Sequence, residues 1–272
     1  MGSKRYVNRA KSGASAVPAR LRRLVRIEER SGTKKLRGTA ARGRPSSPAP
    51  RACSRGAPAE RVFAQAVETL ADRGWFSCRD FADPDLVDAL AAEARSLWDR
   101  GAFRPAGVGR GPERRVRPDA RGDSLLWIDP EQPSAAVRAL RKVMEGLRSY
   151  LNRELFLSLQ EIELQYAVYP PGARYERHLD RFEKENARVI TVLLYLNDDW
   201  HPEDGGQLRL YPGPDAAQAV AEILPARNTF VCFRSALIPH EVLPPRRHRF
   251  SLGGWFRVRP EIPLTGSTPR RT

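Results

Sequence analysis

His178-Leu179-Asp180 sets an imidazole and a carboxylate two residues apart. In an extended segment, side chains at i and i+2 share a face, so this tripeptide can offer a cation one nitrogen and one oxygen from the same side. Alone the pair is ambiguous, because a hydrogen-bonded structural histidine beside a surface aspartate reads the same way. His240, 62 residues further on and shortly after an apolar segment ending at Phe233, adds a third donor where a second sheet edge could fold back onto the first. Two imidazoles and a carboxylate on one face of a cation leave about three coordination positions open, the arrangement that suits ferrous iron in oxygenases. Zinc would more often be closed or bound by thiolates, and the three cysteines, Cys53, Cys78 and Cys232, are scattered.

The open positions must take both dioxygen and an oxidisable co-substrate. A co-substrate with two carboxylates, such as 2-oxoglutarate, needs a cation inside the fold, and Arg249 follows His240 by nine residues. On a strand, Arg249 would share a face with Ser251, Gly253 and Trp255, while Phe250, Leu252 and Phe256 point the other way. A buried arginine requires an anionic partner; read alone, Arg249 also fits a surface place at the end of the basic run 246–249. The apolar stretch 189–196 is broken only by Thr191, and on one face it carries Thr191, Leu193 and Tyr195, so a tyrosine hydroxyl could meet the same anion. The remaining histidines, His201 in a polar turn and His248 in the basic run, are read as surface residues, and Cys232 as core.

The elements that must position these groups fall into two kinds. Three amphipathic helices are expected first: one with Phe63, Val67 and Leu70, ending at Gly74; one opening at Asp83-Pro84, with Leu86, Leu90 and Leu97 in a stripe; and one after Pro133, with Val137, Leu140, Met144, Leu147 and Leu151 on one face. No convincing strand is read between them. The polar stretch 106–123, with four glycines and five arginines, reads either as a lid or as an exposed excursion. From Glu161 the period becomes two, with Ile162, Leu164, Tyr166 and Val168 alternating with Glu163, Gln165, Ala167 and Tyr169. The segments 189–196, 207–211, 229–233 and 249–258 complete a run of short strands. Helices followed by strands argue for an α+β fold with a sandwich or barrel.

Charge is distributed unevenly. Residues 1–58 hold 16 of the 47 Lys and Arg and only two acids, Glu28 and Glu29, so +14 of the net +15 lies there and the remainder is nearly neutral. This Arg/Ser/Ala/Gly/Pro-rich tail has too little apolar material to offset ordering and is expected to be disordered. It reads as a solvated extension, a basic arm for an acidic partner or a transit segment; nucleic acid enters the reading only through it. Tyr6 stands where a myristoylation signal wants Ser or Thr. No apolar run reaches the length of a membrane span and no secretory pattern opens the chain, so a reduced cytoplasmic setting and no membrane are expected. The domain layout is then 1–58 tail, 59–260 folded domain and 261–272 C-terminal tail.

Four segments agree in order and spacing with a known family: QYAVYPPGARYERHLDRF, RVITVLLYLNDDW, GGQLRLYP and PHEVLPPRRHRFSLGGWF. They resemble the catalytic core of the prolyl 4-hydroxylase branch of iron(II)/2-oxoglutarate dioxygenases, particularly bacterial relatives of the oxygen-sensing prolyl hydroxylases. The likeness covers about 157–258, and a weaker one, RGDSLLWID, begins at Arg121. It implies a double-stranded β-helix (jelly-roll) core with supporting N-terminal helices. It implies iron ligation by His178, Asp180 and His240, binding of the distal carboxylate of 2-oxoglutarate by Arg249 and Tyr195, and a pocket lined by Tyr169, Trp255 and Leu208. Fe(II), 2-oxoglutarate, O2 and ascorbate are the implied cofactors. A proline-containing protein or peptide is the implied substrate, with Arg188, Arg121 and Asp123 as candidate contacts and 106–123 as the mobile substrate loop. Hydroxylation of a free amino acid or other small molecule, and an inactive β-barrel binding or scaffold protein, stand as alternatives. A nucleic-acid demethylase would place a second arginine where Trp255 stands, and a halide-binding variant would lack Asp180.

Overall fold

The computed structural model describes residues 51–52, 59–107, 117, 119–180 and 187–259, all within the unit Gly43–Thr272. Among these residues three α-helices, α1 (Ala59–Arg73), α2 (Pro84–Asp99) and α3 (Ala135–Leu155), accompany twelve short strands. The strands are β1 (Arg51–Ala52), β2 (Trp75–Arg79), β3 (Arg104–Pro105), β4 (Ser124–Trp127), β5 (Glu161–Tyr169), β6 (Tyr175–His178), β7 (Arg188–Tyr195), β8 (Leu208–Leu210), β9 (Ala221–Ile223), β10 (Phe230–Arg234), β11 (His240–Val242) and β12 (Arg249–Arg257).

The helices start and stop where local chemistry allows. Asp83 accepts from the Asp85 amide ahead of Pro84, Ser134 accepts from the Val137 amide, and Gly74 takes the left-handed conformation (φ +82°) that ends α1. α1 and α2 both pack on α3, whose buried stripe is Val137, Leu140, Met144, Leu147, Leu151 and Leu155. On α2 the buried side is Val87, Leu90, Ala91 and Ala94, and Leu86 and Leu97 sit on its flank. The expected stripe is thus rotated, because Ala91 and Ala94 carry burial that a count of large apolar residues overlooks.

Two sheets enclose the core. The larger has the order β1-β2-β10-β7-β12-β5-β4-β3 and the smaller β6-β11-β8-β9, with every pairing antiparallel except β1 with β2. Tyr195, Val231 and Phe233 from the first meet Leu208, Leu210, Ile223 and Val242 from the second in one buried cluster. Each such side chain contributes about 1.5–3 kcal/mol by leaving water. β7 lies between β10 and β12, as expected of an apolar central strand. β5 is buried on both faces from Leu164 to Tyr169, and the face carrying Gln165, Ala167 and Tyr169 looks into the cavity between the sheets.

Two expectations about the first half need correction. β2 intervenes between α1 and α2 and pairs with β10, although five residues directly after a helix show no legible alternation. Arg51–Ala52, inside the segment expected to be disordered, pairs with the edge of β2. The rest of 1–58, residues 108–116 and 118 of the expected lid, and 260–272 lie outside the described residues. Among the described residues, no helix is long and apolar enough to cross a membrane.

Candidate metal centre and its anion pocket

His178 ends β6 and His240 begins β11, and the two are direct partners across that ladder. Asp180 follows two residues later, and its carboxylate oxygens lie 3.6 Å from Nε2 of each histidine. All three ligand atoms fall within 4.8 Å of one another, room for a single ion at ligand bonds of about 2.0–2.2 Å. Each ring is oriented by its other nitrogen. His178 Nδ1 is 2.7 Å from the Glu176 carbonyl and His240 Nδ1 is 3.1 Å from that of Ile238, so both donate there and leave Nε2 lone pairs facing inward. The Thr191 hydroxyl donates to Asp180 Oδ2 at 2.8 Å and is itself 2.9 Å from the Ser235 hydroxyl.

The protonation states suit a metal. Burial alone would push the Asp180 carboxyl up, but His240, His178 and the Thr191 hydroxyl outweigh it and hold it well below the usual carboxylate range. Burial, followed by repulsion from His178, pushes the His240 imidazole down to about 4 against the pull of Asp180. Both groups are therefore in their ligating forms at neutral pH. Among the described residues no thiolate joins them: Cys78 and Cys232 are buried and fall outside the cluster, and burial raises the Cys232 thiol. Three donors of this kind, with the rest of the cavity open, fit ferrous iron better than structural zinc.

The same cavity holds a buried cation. Arg249, 1% exposed, donates from Nε to the Gly206 carbonyl at 2.8 Å and from Nη2 to the Tyr195 hydroxyl at 3.2 Å, with the Tyr169 ring 5.0 Å from the guanidinium carbon. No described carboxylate pairs with it. A buried guanidinium without a carboxylate is a site for an anion, which fits the distal carboxylate of 2-oxoglutarate. Leu208 and Trp255 line the cavity with Tyr169.

The three expected substrate contacts differ in their surroundings. Arg121 and Asp123 line the cavity but engage each other through two bonds of 2.7 and 3.0 Å. The Arg121 guanidinium also lies 4.4 Å from the Tyr175 ring centre, and Tyr175 stacks on His178 at 3.5 Å. The pair therefore buttresses the His178 ring through Tyr175. Arg188 stands behind the wall: it pairs with Glu163 at 2.7 Å and stacks on the Trp255 ring at 3.6 Å. Sequence reading missed Tyr175, for which an aromatic three residues before a ligand histidine is the only signal, and the support that Thr191 and Ser235 give to Asp180. His201 and His248 are exposed, as expected.

A family model described as the 2OG-Fe(II) oxygenase superfamily matches residues 164–257. A solved prolyl-4-hydroxylase of Pseudomonas putida is 44% identical, with a TM-score of 0.65, over 72% of this chain and 99% of that one. A prolyl hydroxylase from Trichoplax adhaerens, solved with a hypoxia inducible factor oxygen degradation domain peptide fragment, is 28% identical with a TM-score of 0.65, over 73% of this chain and 90% of that one. Among curated proteins, the hypoxia-inducible factor prolyl hydroxylase of Caenorhabditis elegans is 29% identical over 206 residues, 72% of this chain; the matched region spans only 28% of that protein. A PKHD-type hydroxylase of Synechocystis is 31% identical over 139 residues, 45% of its length. With the metal-ligand set and the buried arginine in place, the chain belongs to the iron(II)/2-oxoglutarate-dependent dioxygenases of the prolyl 4-hydroxylase family.

Proposed function

We propose that this protein hydroxylates a prolyl residue in a protein or peptide, consuming 2-oxoglutarate and O2 and releasing succinate and CO2. The observation that carries the reading is one cavity that holds both His178, Asp180 and His240 and the uncompensated Arg249. A ferrous ion held by the three ligands would supply the coupling of O2 activation to oxidative decarboxylation of 2-oxoglutarate. The peptide-bound Trichoplax relative supports a peptide substrate. The two antiparallel sheets support a double-stranded β-helix core, and ascorbate would serve to keep the metal ferrous.

Each residue has a task. Arg249 and Tyr195 grip the far carboxylate, and Gly206 fixes the guanidinium so that the grip is preformed. Glu176 and Ile238 carbonyls hold the Nδ1 protons, and Thr191 aims Asp180. Tyr169, Leu208 and Trp255 give the cavity apolar walls that exclude water around the reacting groups.

The test is succinate release by the purified full chain with ferrous iron, 2-oxoglutarate and ascorbate, with and without proline-containing peptides, beside mass spectrometry of the peptide. Peptide-stimulated turnover with a +16 Da product, lost in His178→Ala, is expected. Succinate release stimulated by free amino acids and not by peptides would move the function to the small-molecule alternative. Absence of both turnover and 2-oxoglutarate binding would make the protein a scaffold.

A further inference from the structure

Two side chains on the cavity wall each carry one buried polar atom without a hydrogen bond among the described residues. Gln165 is 6% exposed, and its carboxamide oxygen is buried without a hydrogen bond; Trp255 is 8% exposed, and its indole N–H is likewise buried and unpaired. Both line the cavity that contains the metal ligands. Leaving either unsatisfied costs about 1–3 kcal/mol, and native proteins keep such groups where something else completes them.

Register places the two together. Gln165 pairs with Gly253 and Trp255 pairs with Glu163, so on adjacent strands β5 and β12 they are diagonal neighbours, about 7–8 Å apart at the backbone. Between them Gly253 presents bare backbone, because a Cβ there would come within 2.9 Å of Leu193 Cδ2. The Trp255 ring is fixed from outside by Arg188, itself tied to Glu163. The indole can only donate, and the carboxamide can accept.

A donor and an acceptor side by side match a secondary peptide group, which offers one C=O and one N–H. The peptide bond before a proline is tertiary and has no N–H; the bond after it has both. We infer that Trp255 and Gln165 read the peptide group on the C-terminal side of the target proline, Trp255 Nε1–H donating to the prolyl carbonyl and Gln165 Oε1 accepting from the next residue's N–H. This inference rests on the peptidyl-proline reading and deepens it. Free proline has a carboxylate in place of that peptide group and offers no N–H to Gln165 Oε1, so the pair favours a peptide over the amino acid.

The test compares kcat/KM for a blocked peptide, acetyl-Ala-Pro-Ala-amide, with that for the same peptide N-methylated at the residue after proline. Wild type is expected to prefer the unmethylated peptide by about five- to tenfold, the size of one neutral hydrogen bond. Gln165→Met, of similar volume, is expected to lose most of that preference, whereas Trp255→Phe should turn over both peptides more slowly and keep it. Because the N-methyl comparison is made first on wild type, the test does not depend on a variant folding. Equal preference in wild type and Gln165→Met, or none in wild type, overturns the inference while peptidyl hydroxylation stands. Hydroxylation of neither peptide beside turnover of free proline overturns both.

Discussion

His178 and His240 face each other across the β6–β11 ladder, with ring centroids 4.2 Å apart. Register thereby turns a long sequence separation into adjacent donors, and a slip of one residue would send His240 to the opposite face. Replacing either histidine by alanine is expected to abolish ferrous binding and succinate release together, with the far-UV circular dichroism unchanged. A variant that bound iron with wild-type affinity would remove that histidine from the ligand set.

Thr191 supports the third ligand from behind. Thr191→Val keeps the shape but deletes the hydrogen bond to Asp180 and the one shared with buried Ser235. Ferrous affinity should fall about 10- to 100-fold, the usual effect of losing such a partner, with much of the turnover recovered at saturating iron. Anaerobic iron titration reads this directly; an unchanged affinity would mean that the histidines alone position Asp180.

How much of this was legible beforehand depended on the range of the signal. His178 and Asp180 lie in one tripeptide, and the alternation of Arg249, Ser251 and Trp255 follows from strand period alone, so both were readable and both face the cavity. The ion pair of Arg121 with Asp123 and the stacking of Arg188 on Trp255 depend on which strands pair and on side-chain reach, which composition does not encode. β2 and β9 are too short to show a period, and their place comes from the ladders that receive them. Gln165 looked like the polar half of an alternating strand; only a β-strand covered on both faces turns that position inward.

Gly206 links backbone geometry to co-substrate binding. It adopts φ +70°, and an added Cβ would stand 3.0 Å from both Arg249 Cδ and Pro245 Cβ, while its carbonyl fixes Arg249 Nε. Gly206→Ala is expected to lower stability by about 1–2 kcal/mol for the left-handed conformation alone. Displacement of the guanidinium should also raise KM for 2-oxoglutarate several-fold with iron affinity unaltered. Denaturant unfolding and a 2-oxoglutarate titration check the two effects, and a loss of stability without a change in KM would uncouple the turn from the anion pocket.

Arg121 and Asp123 are predicted to act as a strut. Their side chains are 16% and 1% exposed, so truncating one strands the other as a buried charge. Arg121→Ala should cost about 3–5 kcal/mol in denaturant unfolding, and the apolar pair Arg121→Met with Asp123→Leu should recover much of it. Unaltered stability with a raised peptide KM would return Arg121 to the role of a substrate contact.

Arg249 sets function against stability. It is a buried guanidinium with no described carboxylate partner, and among the described residues the Gly206 carbonyl and the Tyr195 hydroxyl accept its hydrogen bonds. Taking an ion out of water costs several kcal/mol even after relaxation, and no described carboxylate repays it here, whereas the two hydrogen bonds return about 1.5–3 kcal/mol each at most, because the donor is charged. The Tyr195 bond is long at 3.2 Å and contributes near the bottom of that range, so desolvation is expected to win. Arg249→Met should therefore unfold at a higher denaturant concentration than wild type when no ligand is present. With ferrous iron and 2-oxoglutarate at about 100 times its Kd under anaerobic conditions, wild type should gain about 2.7 kcal/mol and the variant nothing from the co-substrate. The order of stabilities would then reverse on adding ligand. A variant less stable than wild type in both conditions would show that Gly206 and Tyr195 compensate the buried charge by themselves, and that the pocket is organised without its anion.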